Sequence, residues 1–167
     1  MTPEQISECF EGLKQALEAQ AWFRESGWIC DSHGFPEAHP EGLTFHVTKA
    51  HWFNQDHHGI HLESWLPFDP AKQKKSFITL HLLHAATIPG TGVKRKRLAQ
   101  GVVDRIREAI ESWPGYVFRA GAYGQQPFSC ALDGSSPDFA AELQKQITRL
   151  AQTIGPVVDQ VLKELEA

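Results

Sequence analysis

Three histidines, His57, His58 and His61, fall within five positions in the stretch NQDHHGIHLESW (54–65), flanked by Asp56 and Glu63. Neutral imidazoles and carboxylates are the donors that zinc takes, and an imidazole beside a carboxylate is also an acid–base pair. Closeness in sequence does not make side chains converge. His57 and His58 are adjacent, and no H-E-x-x-H helix pattern underlies them. The useful question is which histidines the surrounding elements bring to one face.

Three segments alternate in the manner of strands with one face in a core. LTFHVTK (43–49) sets Thr44, His46 and Thr48 against Leu43, Phe45 and Val47. GIHLESWL (59–66) sets His61, Glu63 and Trp65 against Ile60, Leu62 and Leu66. KSFITLHLLH (75–84) sets Phe77, Thr79, His81 and Leu83 against Ile78, Leu80 and Leu82. A meander whose second loop centres on Ala71 places Trp65 opposite Phe77, Glu63 opposite Thr79 and His61 opposite His81. A first loop centred near Phe53 places His46 opposite His61. His46, His61 and His81 then form a row across three strands, with neighbours about 5 Å apart. That row can hold zinc, or one ring can act as an acid or base with Glu63 orienting it. The HLLH pair His81 and His84 splits, since positions three apart on a strand face opposite ways.

The same face carries large aromatics. Trp52, Phe53, His61, Glu63, Trp65, Phe77 and His81 together suit a surface that binds another protein, where Trp is a favoured anchor.

The rest of the chain supplies the scaffold. Thr2-Pro3-Glu4-Gln5 starts a helix whose stripe is Ile6, Phe10, Leu13 and Leu17. Residues 25–42 read as a loop, with a short strand at Trp28 to Cys30, and leave Asp31 and Glu37 without a role. A helix is predicted over 93–112, with Leu98, Val102, Ile106 and Ile110 inward and Pro114 just beyond its end. YVFRA (116–120) and FSCAL (128–132) form a hairpin around GAYGQQ, with Tyr116, Phe118, Phe128 and Cys130 on its inner face. A last helix begins at Ser136-Pro137-Asp138, and Gly155-Pro156 should kink or break it. The order is α-β-β-β-α-β-β-α in a single α+β domain over 1–167, an antiparallel sheet packed on helices.

Composition narrows the partners. A net charge of −4 gives no general attraction to nucleic acid or acidic lipid. The three cysteines form no C-x-x-C pair, and the first twenty residues are too charged for a secretory leader, which favours the cytoplasm. GTGVKRKR (90–97) lacks P-loop spacing, so Lys94, Arg95, Lys96 and Arg97 are at most a local anion site. No nucleophile-elbow pattern is present.

The element order, the length below 200 residues and a pI near 6.1 resemble type III secretion chaperones of bacteria. The resemblance implies a small cytoplasmic homodimer that binds a stretch of an effector and catalyses nothing. The long segment before the first alternating strand and the many histidines depart from that group. A similar order occurs in accessory domains of bacterial defence nucleases. The expectation is therefore a non-enzymatic protein-binding module of chaperone, immunity or adaptor type, with no cofactor and no membrane partner. The alternatives are a small metal-dependent hydrolase or nuclease-like enzyme using zinc on the histidine row, and a nucleic-acid accessory domain using Lys94 to Arg97.

Overall fold

Apolar stripes at helical spacing become the buried faces of three helices. The computed structural model describes residues 1–35, 39–119 and 123–166. Helix α1 (Pro3–Glu18) buries Ile6, Phe10, Leu13 and Leu17, and its first turn is closed by reciprocal bonds between Thr2 and Gln5. A short helix α2 (Ala21–Glu25) leads into strand β1 (Trp28–Phe35). Strands β2 (His39–Lys49), β3 (His61–Pro67) and β4 (Ser76–His81) follow. Helix α3 (Arg95–Glu111), strands β5 (Tyr116–Phe118) and β6 (Phe128–Leu132), and the long helix α4 (Phe139–Glu166) complete the chain.

The strands make one six-stranded antiparallel sheet in the order β1-β2-β3-β4-β6-β5. The fold is α+β. One sheet face, with Phe45, Val47, Leu62, Leu66, Ile78 and Leu80, packs into the core with the helix stripes. The β3–β4 register places His61 opposite His81 and Trp65 opposite Phe77, as the alternation predicts. The β5–β6 hairpin likewise pairs Tyr116 with Cys130 and Phe118 with Phe128; residues 120–122 of its turn lie outside the described residues.

Four local expectations give way. Much of 25–42 is strand rather than loop, because Trp28 and Cys30 face the core while Ile29, Asp31 and His33 face away. Its glycine and proline content hid that alternation, and Glu37 lies outside the described residues. Second, His46 pairs with Glu63 and not with His61. The loop 50–60 folds on itself, with Phe53 at φ 59° and His57 at φ 63°, so its centre cannot be read from its length. A two-residue shift keeps every side chain on its own face. Third, α3 begins at Arg95, because Ile88 N–H to Val93 O (2.9 Å) and the Thr87–Lys94 bridge hold residues 88–93 in a turn. Fourth, α4 runs unbroken through Pro156. Ile154 and Val158 are fully buried on either side, while Pro156 lies on the exposed side of the helix.

One clamp ties the loop to α4. Asp159 lies 2.7 Å from each of Lys49 Nζ, His51 Nε2 and Trp52 Nε1. Gly59 sits where an added Cβ would come 2.3 Å from the Phe53 backbone, so only glycine allows this crossing. Cys30 and Cys130 are buried free thiols, and Cys9 is half-buried. No helix of the described residues is long and apolar enough to cross a membrane.

Candidate metal centre

The sheet face turned away from the helices carries the titratable residues. β1–β2 pairing sets Asp31 beside His46, and β2–β3 pairing sets His46 beside Glu63. A carboxylate, an imidazole and a carboxylate thus stand abreast on three strands. His61 and His81 are paired one step along the sheet, and His33 lies one step the other way on β1.

Seven of the nine histidines form one continuous contact chain. His57 stacks on His33 with ring centres 3.7 Å apart, and His33 meets His46 edge-on at 4.4 Å. His46 stacks on His61 at 3.8 Å, and His61 on His81 at 4.9 Å. His81 continues to His84 at 4.4 Å, and His84 to His58 at 4.6 Å. His81 and His84 do not split, because β4 ends at His81 and the chain then turns back: His84 N–H donates to His58 O. The adjacent His57 and His58 diverge to opposite ends of the chain of rings.

Within this stack, His46 Nε2 and His61 Nε2 lie 3.3 and 3.4 Å from the same oxygen, Glu63 Oε2. A charge-assisted hydrogen bond is shorter, about 2.7–2.9 Å. The same structure reaches 2.7 Å at Asp159. A tetrahedral zinc site with bonds of about 2.0–2.2 Å has ligand–ligand edges of about 3.3–3.6 Å. His61 Nδ1 lies 3.2 Å from Gly59 O, a backbone contact of the kind that orients a ligating imidazole.

The electrostatics favour ligand-ready forms. Burial pushes His46 down to about 3, helped by the charges of His61 and His33 and opposed by Glu63. Burial and His61 push His81 down to about 4. Burial alone would raise Glu63, yet the imidazoles of His46 and His61 beside it hold it well below the usual carboxylate range. Asp31 is lowered in the same way, burial being outweighed by His33, His57 and His46. Neutral rings beside ionised carboxylates are what a divalent cation binds.

Comparison with protein-family models, curated proteins and solved structures gave no match. The assignment therefore rests on this geometry.

Two groups of ligand atoms lie within 4.8 Å of one another: His46, His61 and Glu63, and Asp31, His33, His46 and His57. His81 lies outside both groups and continues the expected row by stacking on His61, the two rings parallel within 2°. A cleft of about 310 Å³ borders the second group, lined by Ile29, Asp31, Thr48, Asn54, Gln55 and His57 among others. Cys30 also touches it, but burial, with Glu18 next, pushes its thiol up to about 12, so it stays protonated. A larger concavity of about 410 Å³ along α4 holds Lys145 and Arg149 but no histidine.

The other expected site residues are dispersed. Trp52 is fully buried against Trp28 and Asp159 and serves the core, not a free surface. Phe53, Trp65 and Phe77 are half-buried. Arg95 is committed internally: its Nη1 donates to the carbonyls of Leu83 (3.1 Å), His84 (2.9 Å) and Ala85 (3.4 Å). Lys94, Lys96 and Arg97 are exposed. Sequence reasoning named His57 and Asp31 but set them aside as loop residues, and it assigned no role to His33. The alternation Trp28, Cys30 against Ile29, Asp31, His33 was the available signal for Asp31 and His33; nothing local marks His57.

Proposed function

We propose that this protein is a divalent-metal protein of the zinc class, with its buried metal held by His46 Nε2, His61 Nε2 and Glu63 Oε2. The observation that carries this is the pair of contacts to Glu63 at 3.3 and 3.4 Å, too long for charge-assisted hydrogen bonds and right for the edges of a zinc site. Two imidazoles and one carboxylate give a borderline donor set that suits zinc, cobalt or nickel better than magnesium or calcium. His46 and His61 are fully buried, so the bound ion sits in a dry site. A buried ion there would act as a Lewis acid or as a brace between β2 and β3.

This favours the metal-dependent alternative over a partner-binding role for the sheet face. The rings of that face largely cover one another, and Ile29 and Val117 are the large hydrophobics exposed among the described residues.

The test is zinc competition against a chromophoric chelator, on protein first stripped with a chelator. The wild type should bind zinc stoichiometrically. An outer partner of a ligand is typically worth about 10–100-fold in affinity, so losing a ligand should weaken binding at least that much. Glu63→Gln, nearly isosteric, and His61→Ala, with its fold checked by circular dichroism, should both show this. Wild-type affinity in a folded Glu63→Gln protein contradicts the assignment.

A further inference from the structure

We propose that Asp31, His33 and His57 form a second divalent-metal position, open to the cleft and sharing His46 with the buried one. The proposal rests on the reading of His46, His61 and Glu63 as a metal position, and it makes the centre dinuclear.

Asp31 Oδ2 lies 3.5 Å from His33 Nδ1 and 3.7 Å from His57 Nδ1. These are again longer than charge-assisted hydrogen bonds and close to ligand edges. With His46, all four residues offer ligand atoms within 4.8 Å of one another. His46 belongs to both groups, and its two nitrogens can serve both metals only as the imidazolate, so binding of the second metal would release the ring's remaining proton to solvent.

Three separate elements supply the group. Strand pairing delivers Asp31 beside His46, and alternation along β1 puts His33 on the same face. His57 arrives from the loop in a left-handed backbone conformation at φ 63°, a region few residues other than glycine occupy and in which histidine is one of the enriched exceptions. The loop is built to hold it there: His57 N–H donates to Asn54 O (3.2 Å) and Gly59 N–H to Asn54 Oδ1 (2.8 Å). A strained residue stacked on another histidine beside a carboxylate is the pattern expected at a site, where surrounding structure sustains the strain.

The two positions differ in access. The side chains of His46 and His61 have no exposure, whereas Asp31 and His57 are 46% and 35% exposed. With four protein donors the outer metal would take a further ligand only by becoming five-coordinate, and only through an opening. The cleft bordering Asp31 and His57 gives the outer position that opening, and among the described residues no lysine or arginine lines it. A small donor molecule entering there would be held by the metal itself.

The experiment compares wild type with Asp31→Asn/His57→Ala, titrating each stripped, folded protein with zinc alone and then with cobalt alone. Two equivalents in the wild type and one in the variant, with the tight step unchanged, is the expected result. One equivalent in both overturns this proposal and leaves the buried position standing. No equivalent in the wild type overturns both. Two equivalents in both would place the second metal elsewhere and overturn the proposal. The single variant His57→Ala repeats the test with a loop residue should the double variant fail to fold. Azide should shift the visible spectrum of the two-cobalt wild type and leave the one-cobalt variant unchanged; no shift in the wild type overturns the open assignment.

Discussion

Lowering the pH of the metal-free protein should destabilise it well before ordinary carboxylates titrate. His46 is held at about 3 by burial and by the charges of His61 and His33 against the pull of Glu63. His81 is held at about 4 by burial and His61. Both return to about 6.5 when the chain unfolds. Below 6.5 the unfolded chain therefore binds two protons that the folded chain refuses, and stability falls as the pH falls. Between pH 7 and 5 each ring contributes a loss on the order of 2 kcal/mol, so about 4 kcal/mol together. That is a large part of the about 5–15 kcal/mol that holds a domain folded. His57 and His84, also lowered chiefly by burial, act in the same direction. The lowered Glu63 adds its own loss only below its unfolded value near 4.5. Urea melts at pH 7, 6 and 5 in excess chelator measure the effect, and His81→Asn should remove about half of it. Equal stability at pH 7 and 5 would refute the claim that these rings are buried neutral.

Four further outcomes follow from the same contacts. Zinc at a hundredfold above its dissociation constant should raise wild-type stability by about 2.7 kcal/mol at pH 7 and leave His61→Ala nearly unchanged, read by urea midpoint. Asp159→Ala strips the partners of the nearly buried Lys49 and the Trp52 indole, and should cost about 2–4 kcal/mol in the same melts; a loss below about 0.5 kcal/mol would remove the clamp from the account. Gly59→Ala must push the Phe53 backbone aside, so both stability and zinc affinity should drop, while a neutral result in titration and melt would contradict the close crossing. Arg95→Ala should speed amide exchange across residues 83–87, because it releases three carbonyls; unchanged exchange would contradict that role.

Period-two patterning made the sheet legible. It gave β3 opposite β4 residue for residue, and it put His46, His61 and Glu63 on one face. A side chain's face survives a two-residue register shift, which is why the site residues persisted although His46 was paired with the wrong neighbour. What stayed hidden depended on folding beyond the strands. His57 is placed by a loop with its own hydrogen bonds, and His84 by a chain reversal after β4. Asp31 and His33 sat in a segment whose glycines and prolines masked its alternation. His81 stacks on His61 and stays out of its contact with Glu63, a matter of ring orientation that no sequence pattern carries.

X-ray absorption at the zinc edge of the loaded protein tests the central claim most directly. The account predicts nitrogen and oxygen donors at about 2.0–2.2 Å, with the outer scattering of at least two imidazoles. A sulfur donor at about 2.3 Å, or a spectrum without imidazole scattering, would contradict it.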